Sequence, residues 1–266
     1  MRFIMPILMI LIFYSCEKVI DVDLNSASPK VVIEGIINNK PGPYKVSLTK
    51  TTDYFNPQDF PLISGAEVII SDNLGNTEIL SEKSAGNYEA SAIEGIPGRT
   101  YTLQVTIEGE AFSSTSEMPN TTLIDSITST EMPFMNPHSE NTNPQYRITC
   151  YFKDSVGVNE FFRIIAYKNK EKIPSFYLLD DKITDGNQLG YGGIFGNIYL
   201  GDTVDIELVK IDQKVYEFYN TLANIIVSGD GGRDVGTPAN PNTNISNGAL
   251  GYFGALAIDK KTLIIE

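Results

Sequence analysis

Reactive groups are scarce in this chain. It holds one histidine, His138, two cysteines, Cys16 and Cys150, and no tryptophan. A single histidine argues against a His-rich zinc site and against a histidine-based triad. Ser47-Leu48-Thr49-Lys50 has the S-x-x-K spacing of a serine nucleophile with a lysine base. It falls in an alternating stretch, however, and residues three apart on a strand point to opposite faces, so Ser47 and Lys50 cannot cooperate. The G-x-S-x-G, H-E-x-x-H, Walker and C-x-x-C patterns are absent. Carboxylates gather at Asp180, Asp181 and Asp185, at Asp202 and Asp205, and at Asp230 and Asp234. Calcium needs about six to eight oxygen ligands, commonly from a D-x-D-x-D-G-like loop. Asp230-Gly-Gly-Arg-Asp234, with asparagine carbonyls nearby, is the best candidate for it. A carboxylate pair for glycoside hydrolysis stays open, because its members can lie far apart in sequence. These residues assign no catalytic group and no cofactor, and the expectation is a protein that is not an enzyme.

Contact residues are better represented. Tyr54, Phe55 and Phe60 share a loop with prolines and aspartates, and Tyr191 and Phe195 flank Gly192-Gly193-Ile194. Loop aromatics serve either as a contact surface for a partner or ligand, or as plugs at the ends of a β-sandwich. Asn240 and Asn244 lie in a second polar stretch. Their side chains can bond neighbouring backbone or present a docking surface.

Cys16 is the one cysteine with a recognisable context. Arg2 precedes an apolar run, Phe3 to Tyr14, which is too short to span a bilayer but suits the core of a signal peptide. Ser15 places a small residue directly before Cys16. The arrangement resembles a bacterial lipoprotein signal, in which residues 1–15 are removed and the Cys16 thiol is acylated. The alternative is an ordinary secretory signal that contains a cysteine. With Cys16 acylated, Cys150 has no internal disulfide partner, so the exported chain must be held by its core. The formal charge of −13 disfavours nucleic acid and anionic head groups. Attachment to a membrane is therefore expected through the N-terminal acyl chains.

The elements that would position these residues are mostly strands. Residues 16–29 form a short polar tether rich in loop-forming residues. From Val31, short β-branched or alternating runs recur, among them Tyr44, Val46 and Leu48, then Tyr101, Leu103, Val105 and Ile107. Asp72-Asn73-Leu74-Gly75 and Pro97-Gly98 mark turns. Seven short strands without a helical period predict an immunoglobulin-like or transthyretin-like β-sandwich over 30–119. Pro119-Asn120 marks a boundary. A second β-rich domain is expected over 120–266, with Cys150 as a small core residue on the face of Tyr146, Ile148 and Phe152. Val215, Phe218, Tyr219, Leu222, Ile225 and Ile226 have helical spacing and predict an amphipathic helix over 213–228, capped by Asp212 and ended by Gly229. The stretch 248–258 reads as a strand. One face holds Leu250, Tyr252, Leu256 and Ile258; the other holds Ala249, Gly251, Ala255 and Ala257, with Phe253 as its one large residue. The nearly bare face is expected to receive the helix, with Gly251 and Gly254 making room.

Four pieces of the chain together resemble a known family. They are Cys16-Glu17-Lys18, Val31-Val32-Ile33-Glu34-Gly35, Gly201-Asp202-Thr203-Val204 followed by Val215-Tyr216-Glu217-Phe218-Tyr219, and above all PANPNTNISNGALGYFGA over 238–255. This pattern is similar to the signature of an uncharacterised, domain-of-unknown-function family of Bacteroidetes outer-membrane lipoproteins, often encoded beside TonB-dependent receptors. The resemblance implies lipid anchoring in the cell outer membrane, on its periplasmic or its surface face, and a TonB-dependent receptor as partner. It implies no reaction. The expectation is a non-enzymatic accessory subunit of an uptake receptor, with a stand-alone glycan- or peptide-binding module as the alternative.

Overall fold

The computed structural model describes residues 28–52, 60–132, 144–180, 186–194, 196–229 and 240–266. Its strands are β1 (Val31–Asn38), β2 (Tyr44–Lys50), β3 (Glu67–Asp72), β4 (Thr77–Ile79), β5 (Ser81–Ser84), β6 (Asn87–Ala90), β7 (Thr100–Ile107), β8 (Glu110–Glu117), β9 (Ile124–Met132) and β10 (Gln145–Lys153). They continue with β11 (Phe161–Lys168), β12 (Glu171–Lys172), β13 (Tyr177–Asp180), β14 (Gln188–Ile194), β15 (Thr203–Ile211) and β16 (Leu250–Ile264). Helix α1 (Gln213–Gly229) lies between the last two. The chain is mostly β, and none of the helices among the described residues is long and apolar enough to cross a membrane.

The strands of the first half divide between two sheets. β1, β2, β6 and β5 belong to a nine-stranded sheet, and β4-β3-β7-β8 form a sheet of their own. That makes eight strands where seven were expected, because the run after the Asp72 turn splits into β4 and β5. The alternation Tyr44, Val46, Leu48 on β2 and Tyr101, Leu103, Val105 on β7 puts both sets into one core with Ile33, Val68, Ile70 and Phe112. The turn after β3 is built by Asp72, whose carboxylate accepts from the amides of Leu74 and Asn76 and pairs with Arg99 at 2.8 Å.

β16 ties the halves together. Val32 to Asn38 of β1 pair in parallel with Leu250 to Leu256, and Thr203 to Lys210 of β15 pair antiparallel with Ile264 to Ala257. One strand thus changes partner midway, and the large sheet runs β12-β11-β15-β16-β1-β2-β6-β5 with β13 also on β11. The change of sequence character at Pro119-Asn120 falls between β8 and β9, while the strand beside β1 comes from the end of the chain. A three-stranded sheet, β14-β10-β9, closes a second core, where Ile148, Cys150 and Phe152 meet Phe162, Ile164, Val204 and Ile206.

The two faces of β16 differ as its alternation requires, but their neighbours are the reverse of the expectation. Ala249, Phe253, Ala255 and Ala257 look into the first core, whereas Tyr252 and Leu256 belong to a third cluster with Val215, Phe218 and Tyr219 of α1. The bare face therefore receives the smaller sheet, and the helix lies on the large-residue face. Small buried serines on β8, Ser114 and Ser116, let the sheets come close there. The Ser116 hydroxyl accepts from the amide of Ala255 at 2.8 Å. Gly251 is likewise not the helix seat. Its φ is +92°, and a Cβ there would lie 2.1 Å from the carbonyl oxygen of Ile33. Gly254 does face the helix, since a Cβ there would meet Val215 at 3.3 Å. Asp212 caps α1 as its position predicts, its Oδ1 accepting from the amide of Val215 at 2.8 Å.

Candidate functional site

β16 has an edge exposed on each side where its partner strand ends, and the side chains that cover those edges come from outside the ladder. Asn244 donates from Nδ2 to the carbonyl of Phe253 at 2.7 Å and accepts from the Phe253 amide at Oδ1, 3.0 Å. Asn39 makes the same pair of bonds with Ile258, at 3.1 Å to its carbonyl and 2.8 Å from its amide. Each carboxamide acts as one more residue of the missing strand. An asparagine fits because its amide carries a donor and an acceptor in one plane, as a peptide unit does. Residues 240–249 fill out the same surroundings. The Ser246 amide donates to the Ser113 carbonyl and the Ser246 hydroxyl accepts from the Ser113 amide, both at 2.8 Å, Asn247 reaches Glu110, the amide of Asn242 donates to Thr221 on α1, and Ile245 and Ala249 enter the first core. Of the two asparagines singled out by sequence, Asn244 is half-buried and both ends of its amide are used on Phe253, while Asn240 is exposed.

Where α1 crosses the large sheet, aromatic rings collect. Phe218 stacks on Tyr252 with centroids 4.4 Å apart, and Tyr219 meets Tyr252 edge-on at 5.2 Å. The hydroxyls of Tyr219 and Tyr252 share a hydrogen bond of 2.5 Å. Arg163 from β11 lies over the Tyr219 ring at 4.2 Å and over Phe176 at 5.3 Å, so its cation rests on two π-faces. Burial pushes the Tyr219 phenol above its ordinary value, against a downward pull from the Arg163 charge. Burial raises Tyr252 as well, reinforced by Tyr219. Both phenols thus stay protonated at neutral pH, and their shared bond persists.

Beside this cluster the outer face of β1 and β2 opens into a groove of about 310 Å³, lined among others by Glu34, Ile36, Tyr44, Lys45 and Tyr252. A carboxylate, an ammonium group and phenolic walls suit recognition of a polar partner with some apolar surface. A wider cleft of about 610 Å³ lies at the Asn39–Tyr44 end, with Lys83 and Glu89 on its walls.

Residues 17–262 match the protein family described as a domain of unknown function, DUF4249. The chain belongs to the DUF4249 family. None of the curated proteins compared with it matches. The match spans the tether, both cores and most of β16, so the asparagine pairs and the α1 cluster are features of a DUF4249 domain in this chain.

The remaining sequence candidates fall at separate places in the domain. Phe60 is exposed, just before the Pro61–Ile63 segment that bonds to the end of β2. Tyr191, on β14, is half-buried against the second core, its ring 5.5 Å from that of Tyr177. Burial raises its phenol above the ordinary value. Tyr54, Phe55, Phe195, Cys16, Asp230 and Asp234 lie outside the described residues. Cys150 is fully buried, and burial pushes its thiol up to about 12, so it is a packing residue. Among the described residues no group of three or more His, Cys, Asp or Glu side chains is placed to hold a metal ion. The carboxylates that are described have other occupations. Asp202 accepts from the Tyr199 amide and from Asn169, and Asp205 accepts from Thr262 and pairs with Lys260. Sequence reasoning missed Asn39, Arg163 and Ser116. Asn39 and Ser116 give no signal of their own, since the β16 backbone groups they bond lie more than a hundred residues away. Arg163 could have been found as the lone cation in the run Phe161-Phe162-Arg163-Ile164-Ile165.

Proposed function

We propose that this DUF4249 protein is a lipoprotein of the bacterial outer membrane and acts as a non-enzymatic accessory subunit of a TonB-dependent uptake receptor. The observation that carries the reading is the N-terminal segment, an apolar run from Phe3 to Tyr14 closed by Ser15-Cys16 and followed at once by a polar tether. The likeness of the 238–255 block to receptor-linked lipoproteins of Bacteroidetes supports the partner. The first half is read as an immunoglobulin-like or transthyretin-like sandwich, a module type that presents binding surfaces on a rigid body. Purification of the tagged protein from detergent-solubilised native membranes should recover a TonB-dependent receptor. A preparation without one overturns the accessory role.

The groove between Glu34, Lys45 and Tyr252 favours a second reading, a stand-alone module that binds a glycan or a peptide. Binding on a glycan or peptide array that is lost in Tyr252→Ala and kept without any receptor would decide for it.

A further inference from the structure

We infer that the end of the first half carrying Phe60 and Leu62 rests on the lipid bilayer that anchors the protein. The inference builds on the lipid-anchor reading above. It starts from where the chain emerges. The amide of Lys30 donates to the Thr51 hydroxyl, and the amide of Thr51 to the Lys30 carbonyl, both at 2.9 Å. On the other side of β2, the Lys50 amide donates to the Pro61 carbonyl and the Ile63 amide to the Leu48 carbonyl, with Thr49 facing Leu62. The segment around Phe60–Leu62 is therefore the second neighbour of the incoming chain. At ~4.8 Å per strand the two lie about 10 Å apart.

This end has the chemistry of an interfacial contact. Phe60 is 57% exposed and Leu62 54% exposed, with exposed Pro61 between them. Lys30, just before β1, and Lys50, at the end of β2, are both exposed. Two large apolar side chains flanked by ammonium groups suit the boundary between acyl chains and lipid phosphates. Among the described residues beside this segment, the Glu82 carboxylate accepts from the amides of Gly65 and Gly86. Covalent geometry points the same way. Residues 16–29 reach at most ~50 Å when fully extended, and they join the fold at Lys30, on this end.

The absence of tryptophan supplies a clean test. The full-length lipidated protein carrying Phe60→Trp is incorporated into phosphatidylcholine vesicles with brominated acyl chains. A second version carries Leu74→Trp, at the 67% exposed tip of the β3–β4 turn at the far end. Both substitutions replace exposed side chains and leave the core alone. The expected result is quenching by bromolipid and loss of acrylamide quenching for the indole at position 60, with neither effect at position 74. If the protein floats with the vesicles and the two indoles behave alike, the docking inference is overturned while the anchor stands. If the protein does not float at all, both are overturned.

Discussion

Replacing Asn244 by alanine should be among the most damaging polar substitutions in this protein. Phe253 is fully buried, and its amide and carbonyl have Asn244 as their partner at 3.0 and 2.7 Å. Truncation leaves a donor and an acceptor unpaired in a place water does not easily reach, at about 1–3 kcal/mol for each group. The methyl group left behind restores neither bond, so the expected loss is ~2–4 kcal/mol. For a chain of this size that corresponds to a fall in Tm of about 5–15 °C. Thermal and urea melts followed by tyrosine near-UV circular dichroism would read it. Asn240→Ala, at an exposed position of the same stretch, should stay within ~0.5 kcal/mol of wild type. If Asn244→Ala melts with the wild type and instead weakens recovery of a receptor, the carboxamide is a docking group and its bonds to Phe253 are not what holds the edge of β16.

Gly251→Val should destabilise the protein by several kcal/mol, because its φ of +92° and the Ile33 carbonyl 2.1 Å from a Cβ leave no room for a side chain; a Tm unchanged by the substitution would refute the close pairing of β1 with β16. Acid should weaken the first half through Asp72 and Glu78. Burial pulls both carboxyls upward, but hydrogen bonds outweigh it, from Asn76, Leu74 and Arg99 at Asp72 and from the amides of Ser91, Ala92 and Ile93 at Glu78. Folded values below the ordinary 3.8 and 4.5 mean that their contribution is complete above those values and is lost as pH falls through the lower native ones. Glu78→Gln should flatten that acid limb in melts between pH 3 and 6, and an identical limb would remove Glu78 from the account. Cys16→Ala should shift the protein out of the membrane fraction or stop its maturation, since each acyl methylene contributes about 0.8 kcal/mol of anchoring; full retention would show that something other than the lipid holds it.

Much of the local structure was legible in the sequence because its causes are local. Val215, Phe218, Tyr219 and Leu222 fall on one side of a helix, and Asp212 sits where an N-cap belongs, so α1 could be bounded to within a residue. The strand Tyr44–Lys50 declares its buried face by alternation. The neighbours of each face are a different matter. In 248–258 the alternation separates a small face from a large one, but the residues that decide what lies on the small face, Ser114 and Ser116, are more than a hundred positions away. A helix and a second sheet both profit from a bare surface, and Phe253 is what tips the choice, since its ring fills the space between two sheets. The candidate site was legible to the same degree. Asn244 was visible as a group able to bond backbone, whereas Asn39, its counterpart on the opposite edge, is an ordinary loop residue until β16 is placed beside it.

The two asparagines explain how one strand can serve two halves of a protein. A strand that changes partner midway has, on each side, a stretch of amides and carbonyls with no neighbouring strand, and burying such groups unpaired is costly. Asn39 follows directly on β1 and carries its pairing on to Ile258, past Leu256. On the other edge β15 pairs only as far as Ala257, and Asn244 and Ser116 take over at Phe253 and Ala255. Ser116 also donates to the Asp212 carboxylate at 2.5 Å, so the group that closes this edge is bonded to the cap of α1. The handover thus locks together β8, β16 and the helix, which are drawn from both halves of the chain. The halves are therefore bound to one another through buried backbone hydrogen bonds, which favours their unfolding as a single cooperative body. Such a body keeps the Phe60 end and the α1 cluster at a fixed separation, so with the Phe60 end on a bilayer, as we infer, the fold itself would set how far from it the groove beside Tyr252 stands.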